Sequence, residues 1–539
     1  MRLAMCAVAL FSAAPRPPSA APSADAESVP PVSYVILICQ MPVTTARLSL
    51  VAGACALAGL LSIPGASVNA QQPPAPQFLT SAAQLAAYTQ AATRDLNYLP
   101  GEVIVKFRVG VSVNQQARAL SSVRSQPSTD RLQWIADRTA RLMVPEDPDS
   151  IAVAANLMRQ PEVEYAQPNW LRQPSSVPND TQYAARQWNM TLLDMPRAWD
   201  INTSGGAGVT VAVIDTGLTS VNATYAFKTW NGTAIVTAQV PVGINPDVDA
   251  SRLAANRDFV FWTGPVIDFH GHGTHVSGTV AQSTNNNLGY AGVAFGAKIM
   301  PLKVCLSFWD IQILQAENGV TGYPSFNIGG CPTSAVIAAV RYAADNGAKV
   351  INLSLGGTDA SPADQDAMNY ALARGVFVAM SAGNEFEDGN PVTYPASYGK
   401  LVAGAMAVGA VGRTQVRSYY STTGDFVEIA APGGDAREGG SNGVIYQSGM
   451  LFSDYNPAVV ILPRFNRYSD VGFQGTSMAS PHVAGIAALL MSQGVTSPAA
   501  VEALITATAK DLGTAGRDNL YGAGLIQPRT ALRGFGVLR

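Results

Sequence analysis

The sequence predicts an α/β fold with three layers, a mostly parallel central sheet carrying helices on both faces. A small α+β unit precedes it. Three observations carry this expectation. Apolar runs of strand length recur at 209–215, 349–355 and 376–380, near-continuous in apolar residues, as in strands buried on both faces. Helical stretches with start and stop signals lie between them. Ser334 stands as cap of a helix through Asn346 with Gly347 as stop, and Ser361-Pro362 opens another that ends at Gly375. Repeated strand–helix–strand units of this kind build a parallel sheet. Residues 96–172 read differently, as strands around one helix with no such repeat.

The chain has 539 residues, enough for two or three domains. Its formal net charge is −3, only 13% of residues are charged, and no basic block suggests a nucleic-acid partner. Of five cysteines, Cys6, Cys39 and Cys55 precede any mature domain. Cys305 and Cys331 remain as a single possible pair.

Residues 1–40 are Pro- and Ala-rich without periodicity, an uncertain N-terminal extension, with Met41 an alternative start. Residues 41–70 read as a signal peptide: Arg47, an apolar run over 48–63, then small residues at Val68-Asn69-Ala70. The apolar run is short for a spanning helix, so no membrane span is expected after processing. In an exported chain a Cys305–Cys331 disulfide would persist. Residues 71–95 are Pro-, Ala- and Gln-rich and read as a flexible segment. Within 96–172, strands are expected at 100–107, 142–144 and 161–169, and a helix at 149–158. Residues 173–180 form a Pro/Ser linker by composition, and 181–539 form the large α/β domain.

Chemistry concentrates in three places. Gly475-Thr476-Ser477 precedes a small-residue and apolar run of helical length. A helix N-terminus offers free N–H groups and partial positive charge, which suit a nucleophilic oxygen and a developing oxyanion. An ordinary N-capping serine fits the same pattern. Asp215 ends an apolar strand just before Thr216-Gly217. His270, His272 and His275, three of the four histidines, open a further helix. As a zinc site this cluster fits poorly. Zinc-protease helices space two histidines at i and i+4 beside a glutamate, and these spacings are two and three.

The order Asp215…His272…Ser477, with His270-Gly-His-Gly-Thr-His275 and Gly475-Thr-Ser-Met-Ala-Ser-Pro-His482 around the last two, resembles the subtilisin-like serine proteases, the subtilases. The resemblance runs from about Pro178 to the C-terminus. It implies a subtilisin-like fold with Ser477 as nucleophile, His272 as base and Asp215 as its orienting carboxylate. His272 is chosen because it directly precedes Gly-Thr-His. Asn384, in Ser381-Ala-Gly-Asn384, would supply an oxyanion donor. Ser354, Leu355 and Gly356, and across from them Gly329, Gly330 and Cys331, would flank an extended substrate. Glu385 would stand at the rim of the S1 pocket and favour a basic P1 side chain, with Thr393 near the pocket's base. Insertions at 306–328 and about 440–471 should border the cleft.

The resemblance also implies that 96–172 is a propeptide, which assists folding and inhibits until cleaved. It further implies a structural Ca²⁺ held by Asp180, Asn286 and the carbonyls of Ser283, Leu288 and Tyr290, all oxygen donors. The family's second carboxylate follows a His-Pro pair after the catalytic Asp. Thr224 occupies that place, so the site would be weaker or a nearby acid such as Asp258 would substitute. The expected protein is a secreted, self-processing, monomeric serine endopeptidase acting on proteins or peptides. Two other readings of the same fold are a catalytically silent binding protein and an exopeptidase removing short N-terminal peptides.

Overall fold

In a computed structural model of the chain, the described residues are 82–534 apart from 95, 97, 124–131, 145–148, 172–176 and 326–327. The expected N-terminal extension and signal peptide, and residues 71–81 and 173–176, lie outside them.

The first part is an α+β unit. Helix α1 (Ala82–Thr93) is followed by β1 (Tyr98–Phe107), α2 (Val113–Leu120), β2 (Leu132–Ala136), β3 (Thr139–Met143), α3 (Ser150–Leu157) and β4 (Val163–Trp170). The strands form one antiparallel sheet in the order β2-β3-β1-β4. Val103, Val105, Phe107, Leu142, Val153, Leu157 and Val163 form its core. Asp149 caps α3, accepting from the N–H groups of Ile151 and Ala152. The expected strands and helix are present, but α1, α2 and β2 were not foreseen. Helix α1 lies in the stretch expected to be flexible. It is Ala-rich and free of Gly and Pro, so intrinsic propensity favours helix there.

The second part opens with short helices α4 (Tyr183–Arg186), α5 (Trp188–Leu192) and α6 (Met195–Ile201). Seven strands then form a parallel sheet: β5 (Thr210–Asp215), β8 (Arg257–Asp258), β9 (Lys298–Lys303), β12 (Val350–Leu353), β13 (Phe377–Ser381), β14 (Ala405–Val411) and β15 (Val427–Pro432), after the hairpin β6 (Ala223–Trp230) and β7 (Ile235–Val242) has left β5. Their order is β15-β14-β13-β12-β5-β9-β8. Strand β5 shows why both faces are covered. Val211 and Val213 enter one core with α7 (His272–Ala281) and α13 (Thr476–Ser492). Ala212 and Ile214 enter the other with α9 (Thr333–Asp345) and α10 (Pro362–Leu372). Alternate side chains of a strand point to opposite faces, so a wholly apolar strand needs a helix layer on each.

Two helix starts differ from expectation. Pro332, not Ser334, precedes the first turn of α9. Gly475 is the residue before α13, which puts Ser477 one residue inside the helix rather than at its cap. Ser361 does cap α10, accepting from Asp364 N–H.

The β6–β7 hairpin was not foreseen as an insertion. It packs with the two that were. These carry α8 (Phe308–Glu317), between β10 (Leu306–Ser307) and β11 (Ile328–Gly330), and the hairpin of β16 (Ile445–Met450) and β17 (Tyr468–Phe473). Phe227, Phe269, Trp309, Met450, Tyr455 and Phe465 form their shared core, and the Trp309 indole N–H donates to the Tyr455 carbonyl. This annex reaches the residue before His272. A Cβ on Gly271 would lie 3.1 Å from Tyr455 Oη and 3.3 Å from Met450 Cε.

Candidate active site

Asp215 ends β5, and the turn after it meets the start of α7. Asp215 Oδ1 lies 2.7 Å from His272 Nδ1 and also accepts from the Thr216 N–H at 2.7 Å. Its other oxygen is buried with no partner among the described residues. The turn and helix touch through glycine: a Cβ on Gly273 would collide with the Gly217 carbonyl. The free N–H groups at the helix start are all occupied. His272 N–H donates to His270 Nδ1 at 3.3 Å, Gly273 N–H to Thr216 Oγ1 at 2.8 Å, and Thr274 N–H to Asp268 Oδ2 at 3.0 Å. Asp268 is fully buried and also takes Thr274 Oγ1 and the N–H groups of His270 and Gly271. Burial opposes its charge, but Lys303 and these donors hold its pKa below the usual carboxylate range. Neither Thr216 nor Asp268 was singled out from sequence. Asp268, six residues before Thr274, was the readable signal, an acid ahead of a helix start.

Burial disfavours a charged His272, but the charge and hydrogen bond of Asp215, with the charge of Asp268, outweigh it and raise the pKa. The neighbours behave oppositely. Burial, then the charge of His272, pushes His270 down to about 4. Burial pushes His275 down to about 3, its Nε2 directed at the Ile445 carbonyl 3.0 Å away. The three rings turn nitrogens to three different partners: His270 to the His272 N–H, His272 to Asp215 and His275 to the Ile445 carbonyl. Among the described residues no group of three or more His, Cys, Asp or Glu is placed to hold a metal. His482 bonds Met478 O and the Asn189 amide and is neutral, its pKa lowered to about 4 by burial.

Ser477 is buried in the first turn of α13, and its Oγ donates to the Ser354 carbonyl at 3.3 Å. No hydrogen bond joins it to His272. Ser354 Oγ in turn donates to the Ser477 carbonyl at 2.8 Å and accepts from Asn352 Nδ2 at 2.9 Å. Asn352 Oδ1 takes the Ser480 hydroxyl at 2.8 Å. Strand β12 is thus stitched to α13, and Asn352, two residues upstream of the expected segment, was missed. Beside Ser477, Asn384 Oδ1 accepts from Thr476 N–H and Oγ1. This turns Nδ2 away from Thr476, and Nδ2 makes no hydrogen bond to a described residue.

The expected substrate segments are placed as follows. Leu355 and Gly356 continue from β12, and a Cβ on Gly356 would lie 3.0 Å from the Tyr394 carbonyl. Gly330 of β11 pairs with Leu306 of β10. Cys331 and Cys305 have their sulfurs within bonding distance, which closes the base of the 306–328 insertion. Glu385 is half-buried. Its Oε2 accepts from Asn384 N–H at 2.6 Å and Thr422 Oγ1 at 3.3 Å. Thr393 is buried and donates to the Ala382 carbonyl.

The loop 283–290 meets two buried acids. Asp180 Oδ2 accepts from Asn285 N–H at 3.0 Å, and its Oδ1 is buried without a partner. Asp247 Oδ1 takes the Asn286 amide and Oδ2 the Tyr290 N–H, both at 2.8 Å. Ser283 N–H donates to the Asp247 carbonyl at 3.0 Å. Leu288 is exposed at the loop's tip and donates its N–H to Asn286 Oδ1. Burial, opposed by those donors and reinforced by Asp180, pushes Asp247 up to about 7, and burial likewise raises Asp180. Neither residue named from sequence for the second carboxylate's place lies at this loop. Thr224 sits on the β6 strand opposite Pro241, away from the loop. Asp258 lies beside Lys303 in the sheet register and accepts from the N–H groups of Val260 and Phe261. The acid that the structure places against the loop beside Asp180 is Asp247. It follows Pro246, so the Pro-Asp pair was in the sequence, displaced by the inserted β6–β7 hairpin.

Comparison with known proteins agrees with this architecture. The model of the subtilase family matches residues 206–524, and that of the fervidolysin N-terminal prodomain matches 84–169. A thermophilic serine proteinase of Bacillus sp. (strain AK1) is 33% identical over 434 residues, 79% of this chain and 88% of that protein. Thermitase of Thermoactinomyces vulgaris is 33% identical over 354 residues, 64% and 99% of the two chains. Fervidolysin of Fervidobacterium pennivorans is 28% identical over 454 residues, 82% and 59%. The chain belongs to the subtilase family of serine endopeptidases and carries an N-terminal prodomain. No helix among the described residues is long and apolar enough to cross a membrane.

Proposed function

We propose that the protein hydrolyses internal peptide bonds through Ser477, His272 and Asp215. The observation that carries this is the 2.7 Å Asp215–His272 bond. It fixes the imidazole with Nδ1 toward the carboxylate and leaves Nε2 to act as base. The Ser477 hydroxyl swings from the Ser354 carbonyl toward Nε2, loses its proton there and attacks the substrate carbonyl. The tetrahedral oxyanion is met by Asn384 Nδ2 and the Ser477 backbone N–H at the start of α13. His272 then gives its proton to the leaving amine, and water cleaves the acyl-enzyme by the same steps reversed. Labelling by a fluorophosphonate at Ser477, with cleavage of an end-blocked peptide, tests the proposal. An unlabelled Ser477 would leave a silent binding protein. Cleavage confined to peptides with a free amine would make it an exopeptidase.

The chain is read as an exported, self-processing precursor whose prodomain is its own first partner. The fervidolysin-type prodomain match and the exported-type N-terminus support this. A Ser477→Ala chain is expected to keep residues 96–172, covalently or bound, while the parent loses them. Identical mature N-termini in both would assign maturation to another protease.

A structural Ca²⁺ fits the loop 283–290. Asp180 and Asp247 offer carboxylate oxygens at this loop, and Asn286, whose amide donates to Asp247 and whose Oδ1 accepts from Leu288 N–H, would turn that oxygen to the ion. Asp180 Oδ1 is buried and unpartnered, and neither carboxylate makes an ion pair among the described residues. The ion would neutralise two buried acids and tie the segment before α4 to this loop. The carbonyls of Ser283, Leu288 and Tyr290 complete the reading.

A further inference from the structure

We infer that Lys303, charge-paired with Asp310, is a positioning residue that holds the turn after Asp215 and the loop before His272 in register with each other. The inference rests on the triad reading above. Lys303 ends β9 directly beside Asp215 on β5, and its side chain is fully buried. An ammonium has three protons to donate, and each has a partner here. They go to the Thr216 carbonyl at 3.0 Å, the Ile267 carbonyl at 3.0 Å and Asp310 Oδ2 at 3.1 Å. Thr216 follows Asp215 and caps the second N–H of α7. Ile267 precedes Asp268, whose carboxylate holds the loop into His272. One side chain therefore grips both partners of the Asp215–His272 bond from beneath.

Taking a lysine out of water is unfavourable unless every donor is used, and an apolar pair of the same volume often serves stability as well or better. A fold that needed only a filled space would not require this charge. The groups facing the ammonium are Asp310 from α8, Asp258 from β8, Asp268 and His270 from the loop, and the Phe269 ring 5.4 Å away. Asp310 is itself held by Ser307, whose N–H and Oγ both donate to it at 2.7 Å. It belongs to the 306–328 insertion, so that insertion braces the catalytic pair from behind as well as bordering the cleft.

The test is Lys303→Met/Asp310→Asn, which removes both charges and leaves an acceptor for Ser307. Rates are normalised to active sites titrated with a fluorophosphonate. We expect a folded enzyme with kcat down about 10–100-fold and KM within about twofold, a split that loss of packing alone would not give. The downfield proton of the His272–Asp215 hydrogen bond, read by proton NMR on the full chain whether processed or not, should shift or broaden. If the double variant does not fold, Asp310→Asn alone carries the same readouts, with a several-fold loss of kcat. An unmoved proton and a kcat within threefold of the parent would overturn the brace. A Ser477→Ala chain that stays active would overturn the triad reading instead, so the two failures are distinct.

Discussion

Asn384 Oδ1 accepts from the backbone N–H of Thr476 at 2.8 Å and from its hydroxyl at 3.0 Å. The residue before the proposed nucleophile thus orients the proposed oxyanion donor. A carboxamide oxygen held this way leaves the NH₂ end without a hydrogen bond to a described residue. Asn384→Ala should lower kcat about 10²–10³-fold with little change in KM, the usual cost of one such donor. Thr476→Val keeps the N–H bond and loses the hydroxyl, so a loss of about tenfold is expected. A small loss in Asn384→Ala with a larger one in Thr476→Val would mean that Thr476, rather than Asn384, is the donor.

The raised pKa of His272 makes a pH prediction. A protonated imidazole cannot accept the Ser477 proton, so kcat/KM should fall as pH drops through a value above the ordinary histidine 6.5. In Asp215→Asn the charge that outweighs burial is gone, so this acid limb should move to lower pH and kcat should drop by about 10⁴. Ser477→Ala or His272→Ala should each cost about 10⁶ in kcat. A limb that stays put in Asp215→Asn would place the titrating base elsewhere.

The proposed calcium site would link metal binding to pH through Asp247. Its folded pKa of about 7 is above the ordinary 3.8. Between those values the folded metal-free protein binds more protons than the unfolded chain, so stability falls as pH rises from about 4 through 7. A calcium ion bound there would offset that loss by favouring the ionised form. EDTA should therefore lower the inactivation temperature more at pH 8 than at pH 5, and Ca²⁺ should restore it better than Mg²⁺. Asp247→Asn and Asp180→Ala should each remove most of the chelator effect. Equal EDTA sensitivity of parent and Asp247→Asn would exclude Asp247 as a ligand.

Cys305 and Cys331 are 26 residues apart and enclose α8. Closing a loop of this size in the unfolded chain is worth roughly 3–4 kcal/mol on the chain-entropy model. Cys305→Ser/Cys331→Ser should lower stability by about that amount in denaturant titration. Two reactive thiols in the denatured mature protein would show that the bond does not form.

Much of the fold and site was legible because it is local. The strand runs around Asp215, Asn352 and Met380, the Ser361 cap and the residues flanking His272 and Ser477 are consecutive in the chain. Periodicity and short-range motifs carry that information. Residues 82–93 show the limit of composition, since Pro and Gln beside them masked an Ala-rich helix.

The sequence by itself determined the alternation of strand and helix, and marked Asp215, His272, Ser477, Asn384 and the Cys305–Cys331 pair as candidates. Tertiary structure alone decided which distant groups serve them. Asp247 stands beside Asn286, 39 residues away, because the β6–β7 hairpin folds out and returns the chain to the loop. Lys303 reaches Thr216, 87 residues away, because β9 pairs with β5 in parallel. Such partners are chosen by sheet register and by the need of buried charges for compensation, and neither is written in local spacing.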